Sequence, residues 1–365
     1  MSAPNIATTA SHAPWATSAG FAKNNFDALR FFFAGLVIFA HSFALLSGTD
    51  DTEPLMMLTH QMTFGGVAVD CFFIISGCLV TLSWQRSRGV RDYLGKRVRR
   101  IYPGFIVAMA FCALVIAPVG HDDWRTALSP GTLLRIGCKI LVLDGDNYPE
   151  VFPHNPFHGT LNGSIWSIRY EAWCYVGVIV MAVLGFLKQR RWSLTALLVA
   201  TALRLIFEVT NIHPGGGIIA DVFGAPFIWA RLLPCYLAGL VFLLYRDVLP
   251  HSGRLAAAAT AALVVGAIVP HGLSIAFPLG GSYLLFWVAF HPRLRLHGWA
   301  RRGDFSYGLY LYAFPIQQTL VQALPGLVPM ALFPLSAALT LVAAVLSWHG
   351  VEKRFLARVR KPTKA

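Results

Sequence analysis

The chain has 365 residues, of which 56% are hydrophobic and only 13% are charged, and its formal net charge at pH 7 is +13. Soluble domains carry about 25% charged residues, so this composition excludes a protein that exposes most of its length to water. The positive charge does not indicate a nucleic-acid-binding protein, because the basic residues lie in short clusters between apolar runs rather than in one continuous stripe.

Ten apolar segments, each close to the length of about 20 residues that a bilayer requires, predict an all-α integral membrane protein. They divide the chain into a polar N-terminal tail over 1–25, a single transmembrane domain over 26–350 and a basic C-terminal tail over 351–365. The N-terminal tail has no charged region before a short apolar core, so we expect no cleaved signal peptide. The segments cover approximately 29–47, 65–84, 101–118, 165–187, 192–209, 226–245, 254–270, 273–290, 305–323 and 327–348.

The distribution of Lys and Arg predicts the orientation of these segments. Basic residues are concentrated in alternate connections, whereas the connections near 48–64 and 210–225 contain none. The positive-inside rule therefore predicts that both termini are cytoplasmic. The long outer segment 119–164 contains Arg125, Arg135 and Lys139, but long loops follow this rule poorly. Within that segment, residues 131–143 are interpreted as an interfacial or re-entrant helix.

The first apolar segment contains two ionisable residues, Arg30 and His41, which are eleven residues apart. At about 100° per residue, this spacing places both side chains on one face of a helix, about 16 Å apart along its axis. Ionisable residues inside membrane helices are costly and indicate a functional site by default. The pair suggests a site that binds an anion at one depth and transfers protons at another.

Five motifs occur in one order along the chain. They are FDALRFFFAGLVIFAH at 26–41, GGVAVDCFFIISGCLV at 65–80, KRVRRIYPGF at 96–105, LNGSIWSIRYEAWCY at 161–175 and FSYGLYLYAFPIQQ at 305–318. Together they resemble the membrane-bound acyltransferase-3 family, whose bacterial members move acyl groups, usually acetyl, onto extracytoplasmic glycans. The resemblance covers residues 26 to about 355. One departure is Ala313, where many members of the family have histidine.

The resemblance implies an O-acetyltransferase of the bacterial inner membrane. The expected acyl donor is cytoplasmic acetyl-coenzyme A, and the expected acceptor is a glycan or lipid-linked oligosaccharide. The short chain and the NGSIWS motif look most like acetyltransferases of exopolysaccharide subunits. Membrane lipids and other polysaccharide-assembly proteins are the further partners implied, with no nucleic acid. The six cysteines form no CxxC pair and mostly lie in apolar segments, so we expect neither disulfides nor a metal site.

His41 is the predicted catalytic base for the acceptor hydroxyl, since histidine has an unperturbed pKa near neutrality. A covalent acyl-histidine intermediate is the alternative. Arg30, Arg97 and Arg100 are the predicted contacts for the phosphates of coenzyme A, because the planar guanidinium suits phosphate. The competing interpretation is that Arg30 only anchors a helix end, and that the basic cluster from Arg86 to Arg100 binds anionic lipids.

Glu171 is the second predicted catalytic residue, because a buried carboxylate within a span is costly unless it has a role or a partner. It would orient His41, bind acceptor hydroxyls together with Trp166, or pair with Arg169. Trp166 either stacks on a sugar ring or belongs to the interfacial aromatic belt. Asp70 either pairs with an intramembrane cation or lies on the acceptor route. The remaining predicted substrate contacts are Ser167, Tyr307 and Tyr310.

Two other functions are compatible with the sequence. A secondary transporter or exporter of an anionic glycan or small acid also has many spans and intramembrane charges, but the chain lacks the internal repeat expected of that class. An enzyme that transfers succinyl or another acyl group to lipopolysaccharide or periplasmic glucan is the closer alternative.

Overall fold

The computed structural model of this chain describes residues 13–144 and 150–357, and every regular element in those two ranges is a helix. The all-α prediction is confirmed for this part of the chain. Each of the ten predicted segments coincides with one principal helix. These helices are α1 Phe26–Ser47, α2 Phe64–Gln85, α3 Val90–Phe111, α4 Trp166–Val183, α5 Arg190–Thr210, α6 Pro226–Tyr245, α7 Gly253–Ile268, α8 Gly272–Ala289, α9 Ser306–Ala323 and α10 Pro329–Ser347.

Seven of these helices, with their continuations, are long and apolar enough to cross a membrane: α1, α2, α3, α5, α6, α8 and α10. The chain is therefore a multi-pass membrane protein. Helix α7 has only 16 residues. Helices α4 and α9 have 18 residues each, but they carry polar side chains such as Glu171 and Gln317 in place of apolar ones. Helices α4 and α9 therefore contribute polar groups to the interior.

Helix α3 begins eleven residues earlier than the predicted segment at 101, at Val90. The prediction followed hydropathy alone, whereas Arg and Lys are good helix formers that extend a helix beyond its apolar part. The basic residues Arg97 and Arg100 therefore lie on α3 itself rather than in a loop. Their side chains can reach back along the helix towards the bundle.

Helices α2 and α6 cross at two glycines. A Cβ atom at Gly77 would lie 1.9 Å from the carbonyl oxygen of Tyr236, and one at Gly239 would lie 1.8 Å from that of Ile74. Only glycine permits this approach, which is a common way to pack membrane helices. Helix α2 also packs on α1 and α4, and α1 packs on α9 and α10. This arrangement brings α1, α2, α3, α4 and α9 around a common interior.

The predicted N-terminal tail, residues 1–25, is described from residue 13, and residues 1–12 lie outside the described ranges. The described part packs against the bundle: Trp15 is fully buried, and its indole N–H donates to the carbonyl of Leu249 at 3.1 Å. Residues 358–365 of the predicted C-terminal tail also lie outside the described ranges. The same is true of residues 145–149 in the long segment 119–164.

The expected interfacial helix at 131–143 is present as Pro130–Leu141. Asp144 follows it and joins it to the start of α4, because Asp144 pairs with both Lys139 at 2.8 Å and Arg169 at 2.9 Å. Arg169 therefore pairs with Asp144, and not with Glu171 as one interpretation of the sequence suggested.

Candidate active site

A cavity of about 120 Å³ lies between α1, α2, α3, α4 and α9, and we call it the chamber. Seven of the ten predicted site residues line it. They are Arg30, Arg97, Arg100, Ser167, Glu171, Tyr307 and Tyr310. The other three, His41, Asp70 and Trp166, are not among its lining residues.

One end of the chamber is cationic and is organised by Asp304, which the sequence analysis did not identify. Asp304 Oδ2 lies 2.8 Å from Arg30 Nη1 and 2.7 Å from Arg100 Nη2. Its other oxygen accepts a 2.5 Å hydrogen bond from the Ser306 hydroxyl at the start of α9. Burial acts to raise the pKa of the Asp304 carboxyl, but the two guanidiniums and Ser306 outweigh burial and hold this pKa well below its usual range.

A sequence signal for Asp304 does exist. It stands two residues before the first residue of an apolar helix, where carboxylates commonly cap helix starts. Its contact with Arg30 joins residues 274 positions apart, which no local pattern shows. The shared carboxylate lets two like charges approach each other closely, so that both guanidiniums line the same chamber.

Arg97 is the third cation of the chamber. Its Nη2 donates to the Ser83 hydroxyl at 3.2 Å, and its guanidinium lies over the ring of Tyr175 at 5.7 Å. Its Nε is buried and has no hydrogen-bond partner within the described residues. A half-buried guanidinium with an unused donor is suited to binding an anionic or carbonyl oxygen.

Glu171 lies in the wall of the chamber and accepts two hydrogen bonds. The hydroxyl of Ser76 donates at 2.8 Å and that of Tyr175 at 2.9 Å. In the same wall, the hydroxyls of Ser167 and Tyr310 share a hydrogen bond of 2.6 Å. Tyr307 lies beneath the Arg100 guanidinium at 5.6 Å. The chamber thus combines cations at one end with hydroxyl and carboxylate groups farther in.

His41 lies outside the chamber, against the edge of the Phe314 ring on α9 at 5.2 Å between ring centroids. Arg30 and His41 both face α9 or the residues just before it, as their spacing predicts. The Nδ1 atom of His41 is buried without a hydrogen-bond partner in the described part of the chain. A polar atom of this kind is costly to bury unless something else binds it.

His41 and Glu171 occupy different levels of the bundle. At the start of α2, Gly65 lies opposite Ala40, the neighbour of His41. Farther along α2, the Phe72 ring meets Phe33 at 6.1 Å. Ser76, the partner of Glu171, follows one more turn along. Glu171 is therefore nearer to the level of Arg30 than to that of His41, and the structure shows no contact through which it would orient His41.

Asp70 and Trp166 belong to a separate polar cluster. Asp70 is fully buried, and its carboxylate lies 3.4 Å from Arg231 and 3.8 Å from Arg204. Arg204 also pairs with Glu208, one turn along the same helix, at 3.0 Å. The Arg231 guanidinium lies over the Trp166 ring at 5.9 Å. Asp70 is thus paired with intramembrane cations, which was one of its two interpretations.

A second, wider cavity of about 640 Å³ adjoins the cationic end of the chamber, and we call it the vestibule. Leu79, Arg97 and Arg100 line both cavities. The vestibule also collects residues that the sequence analysis did not single out. These are Asp27, Lys96, Ala300, Arg301, Arg302, Gly303, Asp304, Trp348, Lys353 and Leu356.

Within residues 13–144 and 150–357, no group of three or more His, Cys, Asp or Glu side chains is placed to hold a metal ion. All six cysteines are free thiols; Cys138 is exposed and the other five are buried.

Comparison with known proteins gives one family. The profile of a family described as an acyltransferase domain matches residues 23–349. An O-acetyl transferase of Shigella phage Sf6 is 29% identical over 344 residues, which are 92% of this chain and 97% of that protein. Nodulation protein 10 of Rhizobium leguminosarum bv. viciae is 26% identical over 356 residues, covering 91% of this chain and 92% of that protein. No solved structure matches the chain significantly.

Proposed function

Because this chain belongs to the acyltransferase-3 family, we propose that it moves an acetyl group from cytoplasmic acetyl-coenzyme A to a hydroxyl of an extracytoplasmic glycan. The relative named an O-acetyl transferase, which matches along almost its whole length, supports transfer to oxygen. The family match favours acyl transfer over the transporter that the sequence also allowed.

The proposed topology has ten spans in the bacterial inner membrane, with both termini in the cytoplasm. The ten principal helices and the alternation of basic connections support it. In this orientation the vestibule faces the cytoplasm, because it lies at the start of α1 and α3 and at the end of α10. The cluster of Asp70, Trp166 and Arg231 then lies on the outer side.

The observation that carries the proposal is the junction of a wide cationic vestibule with a narrow polar chamber. Coenzyme A has the same division, since its phosphates lie at one end and its thin pantetheine arm ends in the thioester. Arg97 and Arg100 line both cavities and would bind phosphate at the junction. Arg30, held by Asp304, would bind beside them. The arm would then enter the chamber with the acetyl group leading.

The volume of the chamber favours a short acyl group. The chamber, at about 120 Å³, is much smaller than the adjoining vestibule at about 640 Å³. A narrow site of this kind would suit an acetyl thioester better than a longer or charged acyl group such as succinyl. Acetyl is therefore the preferred acyl group.

In the proposed reaction the acceptor oxygen attacks the thioester carbonyl, the carbon–sulfur bond breaks, and coenzyme A leaves as the thiol. His41 would take the proton from the acceptor hydroxyl, or would first accept the acetyl group itself. Tyr310 and Phe314 lie one helical turn apart on α9, between the chamber and His41. They would have to move for the acetyl group to reach that histidine.

Glu171 is proposed as the second catalytic residue, acting from the chamber wall. Its carboxylate fixes the hydroxyls of Ser76 and Tyr175 at 2.8 and 2.9 Å. Each hydroxyl gives its single proton to Oε1 of Glu171, so the second carboxylate oxygen would be the group that accepts a hydrogen bond from the reacting hydroxyl. Ser167, Tyr307 and Tyr310 would line the route of the acyl arm.

The proposed acceptor is an exopolysaccharide subunit on a lipid carrier at the outer face. Trp166 would stack on a sugar ring, and the neighbouring Arg231, which is one-third exposed, would bind an anionic group of the glycan. Asp70 would act by holding Arg231.

The test is mass spectrometry of lipid-linked oligosaccharides incubated with purified protein and acetyl-coenzyme A in liposomes. Wild type should add the mass of one acetyl group to a sugar hydroxyl, and His41→Ala should not. His297→Ala, which removes an exposed histidine outside the site, is the matched control and should behave as wild type. Full acetylation by a folded His41→Ala variant would exclude the proposed role of His41. An unmodified glycan with wild type, across acceptors of several classes, would exclude the proposed function.

A further inference from the structure

The vestibule holds more positive charge than its own carboxylates neutralise. Six of its lining residues are cationic and two are acidic. Lys96 pairs with Asp92 at 2.7 Å, and Arg100 pairs with Asp304. By contrast, none of the ion pairs in the described part of the chain involves Arg301, Arg302 or Lys353. These three side chains bring positive charge to one cavity wall without a protein counter-ion.

The three cations come from two segments that the fold brings together. Arg301 and Arg302 lie in the connection before α9, and Lys353 follows α10. The helix α10 passes into a π-helix at Trp348–Glu352, just before Lys353. Such π-helical turns are rare and occur often at functional sites. Convergence of this kind differs from a run of basic residues along one helix face, whose usual role is to bind lipid headgroups.

An aromatic ring lies in the same cavity. Trp348 lines the vestibule, and Gly303 packs so closely against it that a Cβ atom at Gly303 would lie 2.5 Å from the indole Nε1. Gly303 also has φ of +147°, a conformation that side-chain-bearing residues rarely adopt. Glycine at this position therefore lets the connection before α9 fold onto Trp348, which keeps the ring beside Arg301 and Arg302.

The size of the vestibule is suitable for a nucleotide. Its volume of about 640 Å³ lies within the range of about 300 to 1,000 Å³ that is typical of small-molecule sites. The chamber, at about 120 Å³, is too small for a purine and a ribose. A ligand that reaches into the chamber with a thin arm would therefore leave any nucleotide part in the vestibule.

We propose that the vestibule is a dedicated subsite for the 3′-phosphoadenosine end of coenzyme A, in which Arg301, Arg302 and Lys353 bind the 3′-phosphate and Trp348 stacks on the adenine. Arginine and lysine are the usual phosphate ligands, and base stacking on tryptophan is favourable whatever the base. The diphosphate remains with Arg97 and Arg100 at the junction with the chamber. This inference rests on the proposed function, because it takes acetyl-coenzyme A as the donor.

A subsite of this kind would make the KM of the enzyme depend on a phosphate that takes no part in the reaction. Acetyl-dephospho-coenzyme A lacks only the 3′-phosphate and keeps the diphosphate, the arm and the thioester. Wild type should use it with a KM about tenfold or more above that for acetyl-coenzyme A, as expected from the loss of charge-assisted contacts. The value of kcat should change by less than about twofold, because contacts remote from the reacting atoms act mainly on binding.

The decisive variant is the double substitution Arg301→Gln and Arg302→Gln. It should raise the KM for acetyl-coenzyme A by about tenfold and leave the KM for acetyl-dephospho-coenzyme A unchanged, so that the preference disappears. Lys353→Gln should reduce the preference in part. The matched control is Arg293→Gln with Arg295→Gln, which removes the same charge from the same connection at exposed positions outside the vestibule. It should retain the preference of wild type.

Phosphate could also be offered by anionic lipid headgroups, so the assay is repeated in liposomes of neutral lipid alone. Retention of the 3′-phosphate preference there supports the nucleotide subsite. Equal KM values for the two donors with wild type would overturn the inference, even while turnover of acetyl-coenzyme A supported the proposed function. A double variant that affects both donors equally would overturn it as well. No turnover of either donor by folded wild type would instead overturn the proposed function.

Discussion

The guanidinium of Arg100 lies 2.7 Å from Oδ2 of Asp304. The same oxygen lies 2.8 Å from Nη1 of Arg30. One carboxylate therefore links α1, α3 and the start of α9. This bridge fixes two cations at the junction of the chamber and the vestibule. Arg30 and Arg100, two of the arginines that the sequence predicts to bind the acyl donor, are therefore positioned by a carboxylate that the sequence analysis did not identify.

Removing the charge of Asp304 should disturb donor binding more than folding. In Asp304→Asn the guanidiniums of Arg30 and Arg100 lose their shared partner and repel each other, so we expect kcat/KM for acetyl-coenzyme A to fall by about tenfold to a hundredfold. Steady-state kinetics would measure this. Asp247→Asn is the control, since its pair with Arg190 at 3.2 Å is exposed and exposed pairs contribute little. Unchanged kinetics in Asp304→Asn would contradict the role of the bridge.

The Asp304 carboxylate should also make stability depend on pH in the acid range. Burial opposes its ionisation, but Arg30 and Arg100 outweigh burial and hold the pKa of Asp304 in the folded state below the ordinary value of 3.8. A depressed pKa stabilises the fold above the unfolded-state pKa, and this contribution is lost as the pH falls through the folded-state value. The difference in Tm between wild type and Asp304→Asn should therefore be constant above about pH 5 and shrink below about pH 4. A difference that grows with acidification would refute this assignment.

The carboxylate of Glu171 should be required for the reaction step. Ser76 and Tyr175 both donate to Oε1 of Glu171, so the amide oxygen in Glu171→Gln can keep both hydrogen bonds, while the negative charge is lost and the second oxygen becomes an NH2 group. We expect kcat to fall by about a hundredfold with KM for acetyl-coenzyme A nearly unchanged, because the second position can no longer accept a proton or a hydrogen bond from the reacting hydroxyl. Ser76→Ala should lower kcat by only about tenfold, because the Tyr175 hydroxyl still donates to Glu171. An effect on KM alone would assign Glu171 to binding instead.

The crossing of α2 and α6 should not tolerate a side chain at Gly77. A Cβ atom there would lie 1.9 Å from the Tyr236 carbonyl oxygen, so Gly77→Ala must push the helices apart. Overpacking of this kind costs about 1–3 kcal/mol, and the protein should lose thermal stability in detergent. Gly35→Ala on α1 is the control, because nothing beyond the neighbouring backbone of its own helix lies within 4 Å of the added Cβ. It should be neutral or slightly stabilising, since alanine favours helix.

The ten principal helices could be located from the sequence because each contains a local apolar run. The side chains that line the chamber could also be predicted in large part, because Arg30, Glu171 and Tyr310 are polar groups in segments that should otherwise be apolar. Hydropathy placed the start of α3 too late, because the first turns of this helix are rich in Arg and Lys and so are not apolar. The bridge through Asp304 and the separation of His41 from Glu171 depend on how helices distant in sequence are aligned in depth. Only the packed structure contains that information.

The central claim is that this chain takes an acetyl group from acetyl-coenzyme A on its cytoplasmic face and that His41 takes part in the transfer. The most direct measurement supplies labelled acetyl-coenzyme A to the vestibule side of oriented proteoliposomes and follows acetyl release or transfer for wild type, His41→Ala and Arg30→Ala. The account predicts turnover by wild type only from that side, loss of turnover in His41→Ala, and a raised KM in Arg30→Ala. Turnover by His41→Ala equal to that of wild type, or turnover only from the opposite face, would contradict it.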